Sequence, residues 1–310
     1  MYDSTKPYKK QILKLIQKTW ETPYVSAKNQ IVTKKFSFPE YCHSDGIGTK
    51  GIYYWQKRTF KNPVLDALAM NLNDLLMMNA KPYALLNHLF LPKDDKKAVL
   101  EIIGCLSQEC KRRKIAILGG ETAIHNDMEG MELSITMLGF VEKPKENKFQ
   151  VGDILIGIGS NGLHSNGFTK VREIFGKSYS PEFVTPTFIY FDTIYPLIKK
   201  FNIYGMVHIT GGAFTKLKDL LNNTDVIIKR DHKLKPQPIF RELYKKGVSD
   251  KEMYRIFNCG IGFILSVNPK DAKKILAGIK NFKADIIGKI VPGNEKVKIE
   301  SAFSKKEIIF

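Results

Sequence analysis

The chain has 310 residues, of which 43% are hydrophobic and 26% are charged. These proportions are typical of a folded globular protein, and the length predicts two domains of about 150 residues each. No apolar run approaches the roughly 20 residues that a membrane-spanning helix needs. The segment "MYDSTKPYKK" also lacks the apolar core of a secretory leader. We therefore expect a cytoplasmic protein without a membrane partner.

The net charge of +18, from 49 Lys and Arg against 31 Asp and Glu, raises nucleic-acid binding as an alternative. The lysines are spread along the chain and are not interleaved with aromatic residues, which favours a solvated basic surface and no nucleic-acid partner. Such a surface would also attract polyphosphates. The four cysteines form no CxxC pair, so neither a zinc site nor a disulfide framework is expected.

Helices and strands alternate in the first half of the predicted structure. An N-terminal helix in "YKKQILKLIQKTW" has an apolar face that suits packing on a core better than a membrane surface. The following predicted elements are an extended segment from Ile31 to His43, an apolar helix from Pro63 to Ala80, the strand "YALLNHLFL", a helix from Lys96 to Arg113, and the strands "KIAILGGETA" and "LSITMLGFV".

A polar run from Glu142 to Asp153 predicts a domain boundary, which gives domains of residues 1–146 and 147–310. In the second domain "ILIGIG" is a predicted strand, and "SNGLHSNGFTKVREIF" is a loop that leads into a helix. "MVHITGGAFTKLKDLL" has the pattern strand, double glycine, helix, and "FNCGIGFILSV" runs from glycines into a strand. The alternation in both halves predicts two α/β (α+β) domains.

Asp66, Asn73 and Asp74 fall within roughly a quarter-turn of one another on the apolar helix. A buried carboxylate without a partner costs several kcal/mol, so these side chains need a cation, donors or water. The stripe is therefore either a solvated face or one side of a site for a metal and a nucleotide.

Glycines stand beside acids and hydroxyls in three segments, where bare backbone amides and a helix N-terminus would favour an anion. These segments are "DGIGTK" (Asp45, Gly46, Gly48, Thr49, Lys50), "GGET" (Gly119, Gly120, Glu121, Thr122) and "TGG" (Thr210, Gly211, Gly212). A helix dipole contributes at most about 2 kcal/mol, so a triphosphate needs divalent ions as well. Asp45, Asp74 and Glu121 would repel bare phosphate, which makes them predicted Mg²⁺ ligands.

One further motif, "GIGSNG" at Gly157 to Gly162, fits the dinucleotide-binding pattern G-x-G-x-x-G after a strand. The segment continues as loop in "LHSNGF", so no helix is predicted to open at the third glycine. We therefore expect no dinucleotide fold. No P-loop pattern is present either.

Seven segments in sequence resemble phosphoribosylformylglycinamidine cyclo-ligases, also called aminoimidazole ribonucleotide synthetases. They are "DGIGTK", "DALAMNLNDLLMMNAKP", "GGETA", "GLHSNGF", "TPTFIY", "HITGG" and "FNCGIG", and the resemblance spans about residues 43 to 290. Acid–glycine patterns are shared across the wider superfamily, which includes thiamine-monophosphate kinases, selenophosphate synthetases and hydrogenase-maturation proteins. "GLHSNGF", "HITGG" and "FNCGIG" favour the cyclo-ligases.

The resemblance implies two α/β domains, a homodimer built on the N-terminal sheets, and ATP with Mg²⁺ held between the halves. The implied substrate is formylglycinamidine ribonucleotide, whose formyl-amide oxygen is phosphorylated before an amidine nitrogen closes the imidazole ring. It also implies a nucleotide and metal role for Asp45, Asp74 and Glu121, and a phosphate contact for Lys50. His164, Ser165 and Asn166 would lie near the reacting amide, and Thr210, Gly211 and Gly212 would bind phosphate.

The sequence also departs from the family pattern. The region before Asp45 contains no glycine, "ETAIHNDMEGM" replaces the usual continuation after "GGETA", and Ala213 stands where a third glycine is common. The lysine that the family associates with ATP could be Lys9, Lys10, Lys14 or Lys18. Three alternatives stay open: another ATP-dependent member of the superfamily, an inactive paralogue or basic nucleic-acid-binding protein, and a purely structural His164 in a tight turn.

Overall fold

The computed structural model describes residues 8–28 and 31–310. The prediction about a leader rests mainly on Met1 to Pro7, which lie outside the described residues. The chain divides into two compact units, one formed by Met1–Leu75 and Ala80–Pro144 and the other by Leu76–Asn79 and Lys145–Phe310. The main division after Pro144 lies close to the predicted boundary after residue 146, whereas the grouping of Leu76–Asn79 with the second unit was not expected.

In its described residues the first unit combines a four-stranded sheet, a two-stranded hairpin and four α-helices. Its elements are α1 (Lys9–Ile16), β1 (Val25–Lys28), β2 (Ile31–Lys34), β3 (Glu40–Gly46), α2 (Gly51–Lys57), α3 (Asn62–Met77, of which the last two residues group with the second unit), β4 (Lys81–Leu91), α4 (Lys96–Arg113), β5 (Ala116–Ile124) and β6 (Glu132–Phe140).

Helix α4 has the bounds that its sequence pattern predicts, because both of its ends carry strong local signals. The Asp95 side chain accepts a hydrogen bond from the Ala98 amide over 2.9 Å and caps the first turn. Basic residues occupy the last turn, and Lys114 adopts a left-handed conformation with φ of 61°. Helix α1 packs on α4 as expected, and the Ser107 hydroxyl donates to the Leu15 carbonyl over 2.7 Å.

The four-stranded sheet has the order β3-β6-β4-β5, with β4 and β5 parallel and the other pairs antiparallel. Directly paired residues point to the same face of a sheet, and successive residues point to opposite faces. Asp45, Ile135, Asn87 and Gly120 form one row across the four strands. Ile135 is fully buried, so we call the face of this row the inner face. The next row, with His88 and Glu121, points to the outer face.

The second unit is a seven-stranded sheet with helices. Its elements are β7 (Ile154–Gly159), α5 (Phe168–Phe175), α6 (Phe191–Ile198), β8 (Ile203–His208), β9 (Thr224–Ile228), α7 (Pro238–Lys245), α8 (Asp250–Ile256), β10 (Ile261–Val267), α9 (Pro269–Gly278), β11 (Ala284–Pro292), β12 (Val297–Glu300) and β13 (Glu307–Ile309).

The strand order β13-β12-β9-β11-β7-β10-β8 brings the glycine motifs of the second unit together. Strand β10 is antiparallel to both β7 and β8. The ends of β7 and β8 and the start of β10 therefore lie at the same edge of the sheet. This edge carries the loops of "GIGSNGLHSNG", "HITGG" and "FNCGIG".

The structure corrects several details of the sequence analysis. Helix α3 ends at Met77, where an end at Ala80 was expected. Helix α2 follows the "DGIGTK" motif directly and was not predicted. The segment after "HITGG" is a 3-10 helix, Ala213–Leu220, where an α-helix was expected. As expected, no helix opens at the third glycine of "GIGSNG", because α5 begins only at Phe168. Within residues 8–28 and 31–310, no helix is both long enough and apolar enough to cross a bilayer.

Candidate functional site

A polar cluster in the first unit joins strand β3 to helix α3. His43 Nδ1 lies 3.0 Å from Asn71 Oδ1, and His43 Nε2 lies 3.3 Å from Asp74 Oδ2. Asn71 also donates from Nδ2 to the backbone carbonyl of Asp45 over 3.1 Å. Asp45 is two residues from His43 on the same face of β3. We call His43, Asp45, Asn71 and Asp74 the α3 cluster.

The charge balance of the α3 cluster is set by its two carboxylates. The hydrogen bond to Asp74 raises the pKa of His43 above its ordinary value of 6.5, and the charge of Asp45 acts in the same direction. Burial opposes this effect but is outweighed. The protonated form of His43 is thus favoured by both carboxylates. Sequence reasoning missed His43 and Asn71, although "CHSDG" and "MNLND" already placed them beside the predicted acids.

The α3 cluster fits one mode of Mg²⁺ binding. Mg²⁺ usually keeps several waters and is held by one or two carboxylates together with substrate phosphates. Asp45 and Asp74 can supply such a pair. Among the residues that the structure describes, no group of three or more His, Cys, Asp or Glu side chains is arranged to hold a metal ion. A cage made only of protein ligands is therefore absent from the described part of one chain.

Glu121 does not join the other two predicted metal ligands within one chain. Asp45 is on edge strand β3 and Glu121 is on β5 at the opposite edge, so three strand spacings, about 14 Å, separate their backbones. Glu121 pairs with His88 in the row that points to the outer face, whereas Asp45 belongs to an inner-face row. The metal role of Glu121 stays a prediction.

Lys50 and Asp66 form a buried ion pair in place of the solvated face that was one alternative for Asp66. Lys50 Nζ lies 2.8 Å from Asp66 Oδ2, and neither side chain is exposed. The Tyr54 hydroxyl donates to the same oxygen. Burial lowers the pKa of Lys50 and raises the pKa of Tyr54 well above 10. The ammonium that was predicted to contact phosphate thus has a carboxylate partner inside the unit, and its phosphate role stays a prediction.

The other residues predicted for the first unit are divided between surface and interior. Asn73 is fully buried in α3, so the solvated-face alternative fails for it as well. Thr49 is exposed in a 3-10 turn before α2. In β5 the Gly120 backbone is exposed and Gly119 is buried, while Thr122 is buried and donates its amide to Glu121 Oε1 over 2.9 Å.

Glu132 fixes the backbone of the "DGIGTK" loop, a role that sequence reasoning did not identify. Its Oε1 accepts the Gly48 amide over 3.3 Å. A Cβ atom on Gly46 would lie 2.6 Å from the same oxygen, so a glycine is needed for this close approach. Burial raises the pKa of Glu132 to about 7, and the charge of Asp45 adds to the effect. The loop is therefore positioned by a carboxyl group that titrates near neutrality.

His164 lies at the sheet edge that carries the glycine loops of the second unit, which we call the motif edge. Its backbone is in a left-handed conformation with φ of 61°. The residue is 1% exposed, and its ring forms a three-ring cluster with Phe188 and Tyr190, with centroid distances of 6.3 Å and 6.2 Å. A Cβ atom on Gly262 would lie 2.6 Å from His164 Cε1 and 2.0 Å from the Tyr190 hydroxyl. The "FNCGIG" motif thus supplies the space that the histidine ring needs.

Ser165 and Asn166 continue this loop. The Ser165 hydroxyl lies 3.1 Å from the Thr187 hydroxyl. The Asn166 amide nitrogen is buried and makes no hydrogen bond in the described residues. Asn166 Oδ1 lies 3.5 Å from the position that a Cβ atom on Gly211 would occupy, so the structure brings "GLHSNGF" and "HITGG" together. A buried donor without an acceptor costs about 1–3 kcal/mol, and a bound oxygen atom could remove this cost.

The "HITGG" loop presents backbone and one ammonium group. Gly211 and Gly212 are exposed, and Gly212 has a φ of 80°. Lys216 Nζ donates to the hydroxyl of Thr210, which places a positive charge beside the predicted phosphate-binding backbone. Lys216 was not predicted, because the sequence does not reveal that its side chain reaches back to Thr210, six residues earlier.

Asn258 of "FNCGIG" ties the loops together. Its Nδ2 donates to the Gly162 carbonyl over 2.7 Å, while its Oδ1 accepts the Ser160 hydroxyl over 2.7 Å and the Gly260 amide over 2.9 Å. The side chain is 3% exposed. Asn258 therefore acts as a positioning residue for the His164 loop.

Both halves of the chain match known families. The family described as "AIR synthase related protein, N-terminal domain" matches residues 42–141, and "AIR synthase related protein, C-terminal domain" matches residues 150–300. The chain belongs to the family of AIR synthase related proteins.

Two curated relatives carry a more specific name. The chain is 35% identical over 298 residues to the phosphoribosylformylglycinamidine cyclo-ligase of Saccharolobus solfataricus, which covers 93% of this chain and 90% of that protein. It is 36% identical over 275 residues to the enzyme of the same name from Methanocaldococcus jannaschii, with 81% and 78% coverage. The family predicted from the seven segments is therefore confirmed.

Solved structures share the fold. The hydrogenase maturation protein HypE in complex with ATP has a TM-score of 0.70 at 15% identity, and the alignment covers 99% of this chain and 95% of that chain. Thiamine-monophosphate kinase from Stenotrophomonas maltophilia has a TM-score of 0.66 at 16% identity, with 97% and 98% coverage. The predicted two-domain α/β fold is confirmed by these likenesses.

Proposed function

We propose that this chain is an ATP-dependent cyclo-ligase that converts formylglycinamidine ribonucleotide into aminoimidazole ribonucleotide. The observation that carries the proposal is the identity of 35–36% with cyclo-ligases over 81–93% of the chain. The likenesses to HypE and thiamine-monophosphate kinase, at 15–16% identity, concern the fold alone. They give no comparable support to another ATP-dependent reaction.

The reaction replaces a poor leaving group by a good one. The formyl-amide oxygen attacks the γ-phosphorus of ATP, and the bond between that phosphorus and ADP breaks. An amidine nitrogen of the same molecule then attacks the activated carbon. The carbon–oxygen bond breaks, phosphate leaves with the former amide oxygen, and loss of a proton from nitrogen completes the ring. Positioning and charge stabilisation can supply most of the rate enhancement.

The motif edge of the second unit offers donors for the oxygen atoms of this reaction. The buried Asn166 amide nitrogen has no acceptor in the described residues, so an oxygen of the amide or of its phosphoryl group could accept its hydrogen bond. Exposed Gly211 and Gly212, with Lys216 on Thr210, suit a phosphate group. His164 belongs to the same loop as Asn166 and is buried, and we assign it to orienting the reacting amide.

Asp45 and Asp74 are the residues that would hold Mg²⁺. When it is bound, the ion supplies positive charge to the phosphate oxygens. His43, hydrogen-bonded to Asp74, limits the repulsion between the two carboxylates before the nucleotide binds. Asn71 on α3 holds the Asp45 backbone in place, because its side-chain amide donates to the Asp45 carbonyl. The ATP and Mg²⁺ roles of these residues are part of the proposal.

Purified protein should form ADP and aminoimidazole ribonucleotide in equal amounts when ATP and formylglycinamidine ribonucleotide are both present. Diazotisation of the aminoimidazole and a coupled ADP assay measure the two products. Asp74→Asn should weaken binding of Mn²⁺ in the presence of a non-hydrolysable ATP analogue, by about tenfold, as judged by calorimetry. ADP formation that does not depend on this substrate would assign the protein to another reaction.

The predicted homodimer is also part of the proposal. The outer face of the four-stranded sheet carries Leu86, which is 43% exposed, beside His88 and Phe90, whose rings lie 4.2 Å apart. An exposed apolar patch of this kind suits a self-complementary contact. Leu86→Lys should convert a dimer into a monomer in light scattering, whereas a monomeric parent protein would contradict this part of the proposal.

A further inference from the structure

The second unit contains a cavity of about 480 Å³ that no motif explains. It opens at the sheet edge beside Gly159 and Ser160, the middle of the "GIGSNG" segment. Its volume lies within the range of small-molecule pockets, about 300–1,000 Å³. We call it the β7-edge cavity.

Positive charge dominates the β7-edge cavity. Lys233, Lys235 and Lys283 line it, and the lining residues include no aspartate or glutamate. Lys235 Nζ donates to the Arg230 carbonyl over 3.0 Å, which leaves two of its three N–H groups for a ligand. The nearby Asp285 carboxylate accepts the backbone amides of Lys233 and Ile286, over 2.8 and 3.0 Å. Each of its two oxygens thus accepts one backbone hydrogen bond of the loop.

Aromatic rings also line the cavity and form what we call its aromatic wall. Phe188 and Phe282 line the cavity with ring centroids 5.0 Å apart, and Phe282 lies 5.0 Å from Tyr190. The buried Tyr190 hydroxyl donates to the Gly159 carbonyl over 2.9 Å, which fixes the wall to the end of β7. The cavity therefore has a rigid apolar side and a cationic side.

The lysines and the aromatic rings of the cavity together favour a ligand that has both a phosphate group and an organic part. Three lysines provide concentrated positive charge, which suits a doubly charged phosphate better than a singly charged carboxylate. The aromatic wall offers apolar contact for the carbon skeleton of a sugar or nucleoside. The wall also borders the motif loops, because the His164 ring centroid lies 6.3 Å from that of Phe188.

We propose that the β7-edge cavity binds a phosphate monoester of a sugar or nucleoside, with Lys235 and Lys283 on the phosphate and Phe188 and Phe282 against the organic part. The ester is either the phosphate end of the reaction's own substrate or a separate ligand. The site itself does not depend on the proposed reaction.

Calorimetric titration of the full chain with ribose 5-phosphate, ribose and inorganic phosphate tests the proposal without any turnover. The pocket variant is Lys235→Gln/Lys283→Gln. The matched control is Lys273→Gln/Lys274→Gln, which removes the same charge from exposed positions on α9. We expect ribose 5-phosphate to bind more tightly than phosphate, ribose not to bind, and the pocket variant to lose about tenfold or more in affinity. The control should lose less than about twofold.

The proposal is overturned if the unaltered chain does not bind ribose 5-phosphate. It is also overturned if the pocket variant and the control lose equal affinity, since equal losses indicate only the general positive field of the protein. Kinetics with formylglycinamidine ribonucleotide then distinguish the two sources of the ester. A higher KM at unchanged kcat in the pocket variant assigns the phosphate to the substrate. Lost binding of ribose 5-phosphate with an unchanged KM assigns the cavity to a separate ligand. If the chain has no cyclo-ligase activity, the calorimetry still decides about the cavity.

Discussion

Lys50 and Asp66 face each other across 2.8 Å in the interior of the first unit, and neither side chain reaches solvent. Removal of one partner would leave a buried charge uncompensated, which typically costs about 3–5 kcal/mol. Replacement of both by apolar residues of similar size avoids this cost. We expect Asp66→Ala to lower the free energy of unfolding by about that amount, and Lys50→Met/Asp66→Leu to lower it much less.

Tryptophan fluorescence during urea unfolding measures this effect selectively, because both tryptophans, Trp20 and Trp55, lie in the first unit. Lys34→Ala is a control in the same unit, since its pair with Glu40 is largely solvent-accessible and should contribute at most about 1 kcal/mol. Equal destabilisation by Asp66→Ala and by the apolar double variant would show that burial of the charge is not the cause.

Glu132 should make the stability of the first unit depend on pH. Its pKa is raised from 4.5 to about 7 in the folded chain, so the folded state holds a proton that the unfolded state releases above pH 4.5. Stability from this group is fully present below pH 4.5 and is lost as the pH rises through about 7. The total effect is at most about 3 kcal/mol.

Glu132→Gln cannot ionise, so its melting temperature should exceed that of the parent at pH 8.5 and differ less at pH 5. Fluorescence-detected melting at both values measures this difference. Glu129→Gln, an exposed neighbour, should leave the pH profile unchanged. If Glu132→Gln melts below the parent at pH 8.5, the carboxylate stabilises the loop and the stated direction is wrong.

Gly262→Ala should disturb the His164 loop. The added Cβ would lie 2.0 Å from the Tyr190 hydroxyl and 2.6 Å from His164 Cε1, so both rings must move. Displacement of a positioned group by about 1 Å can cost about 100-fold in rate. We expect kcat to fall at least tenfold, in a protein that stays folded by circular dichroism.

Gly104→Ala is the matched control, because no atom lies within 4 Å of its added Cβ on α4. This control should retain activity and gain up to about 1 kcal/mol in stability, since alanine favours a helix. Retention of full activity by Gly262→Ala would remove His164 from the proposed site.

Asn166→Ala separates a binding role from a structural one. The Asn166 amide nitrogen is buried without an acceptor, so its removal should leave the melting temperature unchanged or raise it. If a substrate oxygen accepts this hydrogen bond, kcat/KM should fall about 10–100-fold. Asn161→Ala is the comparison, because Asn161 Nδ2 donates to the Pro186 carbonyl over 2.9 Å and its loss should reduce stability. Reduced stability of Asn166→Ala at normal kcat/KM would contradict the binding role.

Local patterns predicted most elements of the first unit, but among the α-helices and strands of the second unit only β7, α5, β8 and β10 were predicted. The bounds of α4 and β7 agree with the sequence prediction because caps, glycines and apolar runs mark them directly. The 3-10 helix after "HITGG" was predicted as an α-helix, since spacing alone does not distinguish the two in eight residues. Helix α2 was missed because its seven residues follow a glycine-rich turn with no gap.

The candidate site was predicted in parts. The second-unit loops meet as expected, since strand ends at one edge bring their motifs together. The three carboxylates of the first unit were expected to converge, but strand order and side-chain face depend on tertiary pairing that no single strand encodes. His43, Glu132 and Lys216 were missed for a related reason. His43 and Glu132 contact residues that are distant in the chain, and Lys216 lies on a segment whose 3-10 form was not predicted.

The opposite orientation of Asp45 and Glu121 also affects how the first unit tolerates mutation. Within one chain, side chains this far apart on different faces share no neighbour, so the losses caused by substitution at each position should simply add. A second change at one of them cannot rescue a defect at the other. Substitutions, whether they arise in evolution or by protein design, can therefore change the two faces of this sheet independently.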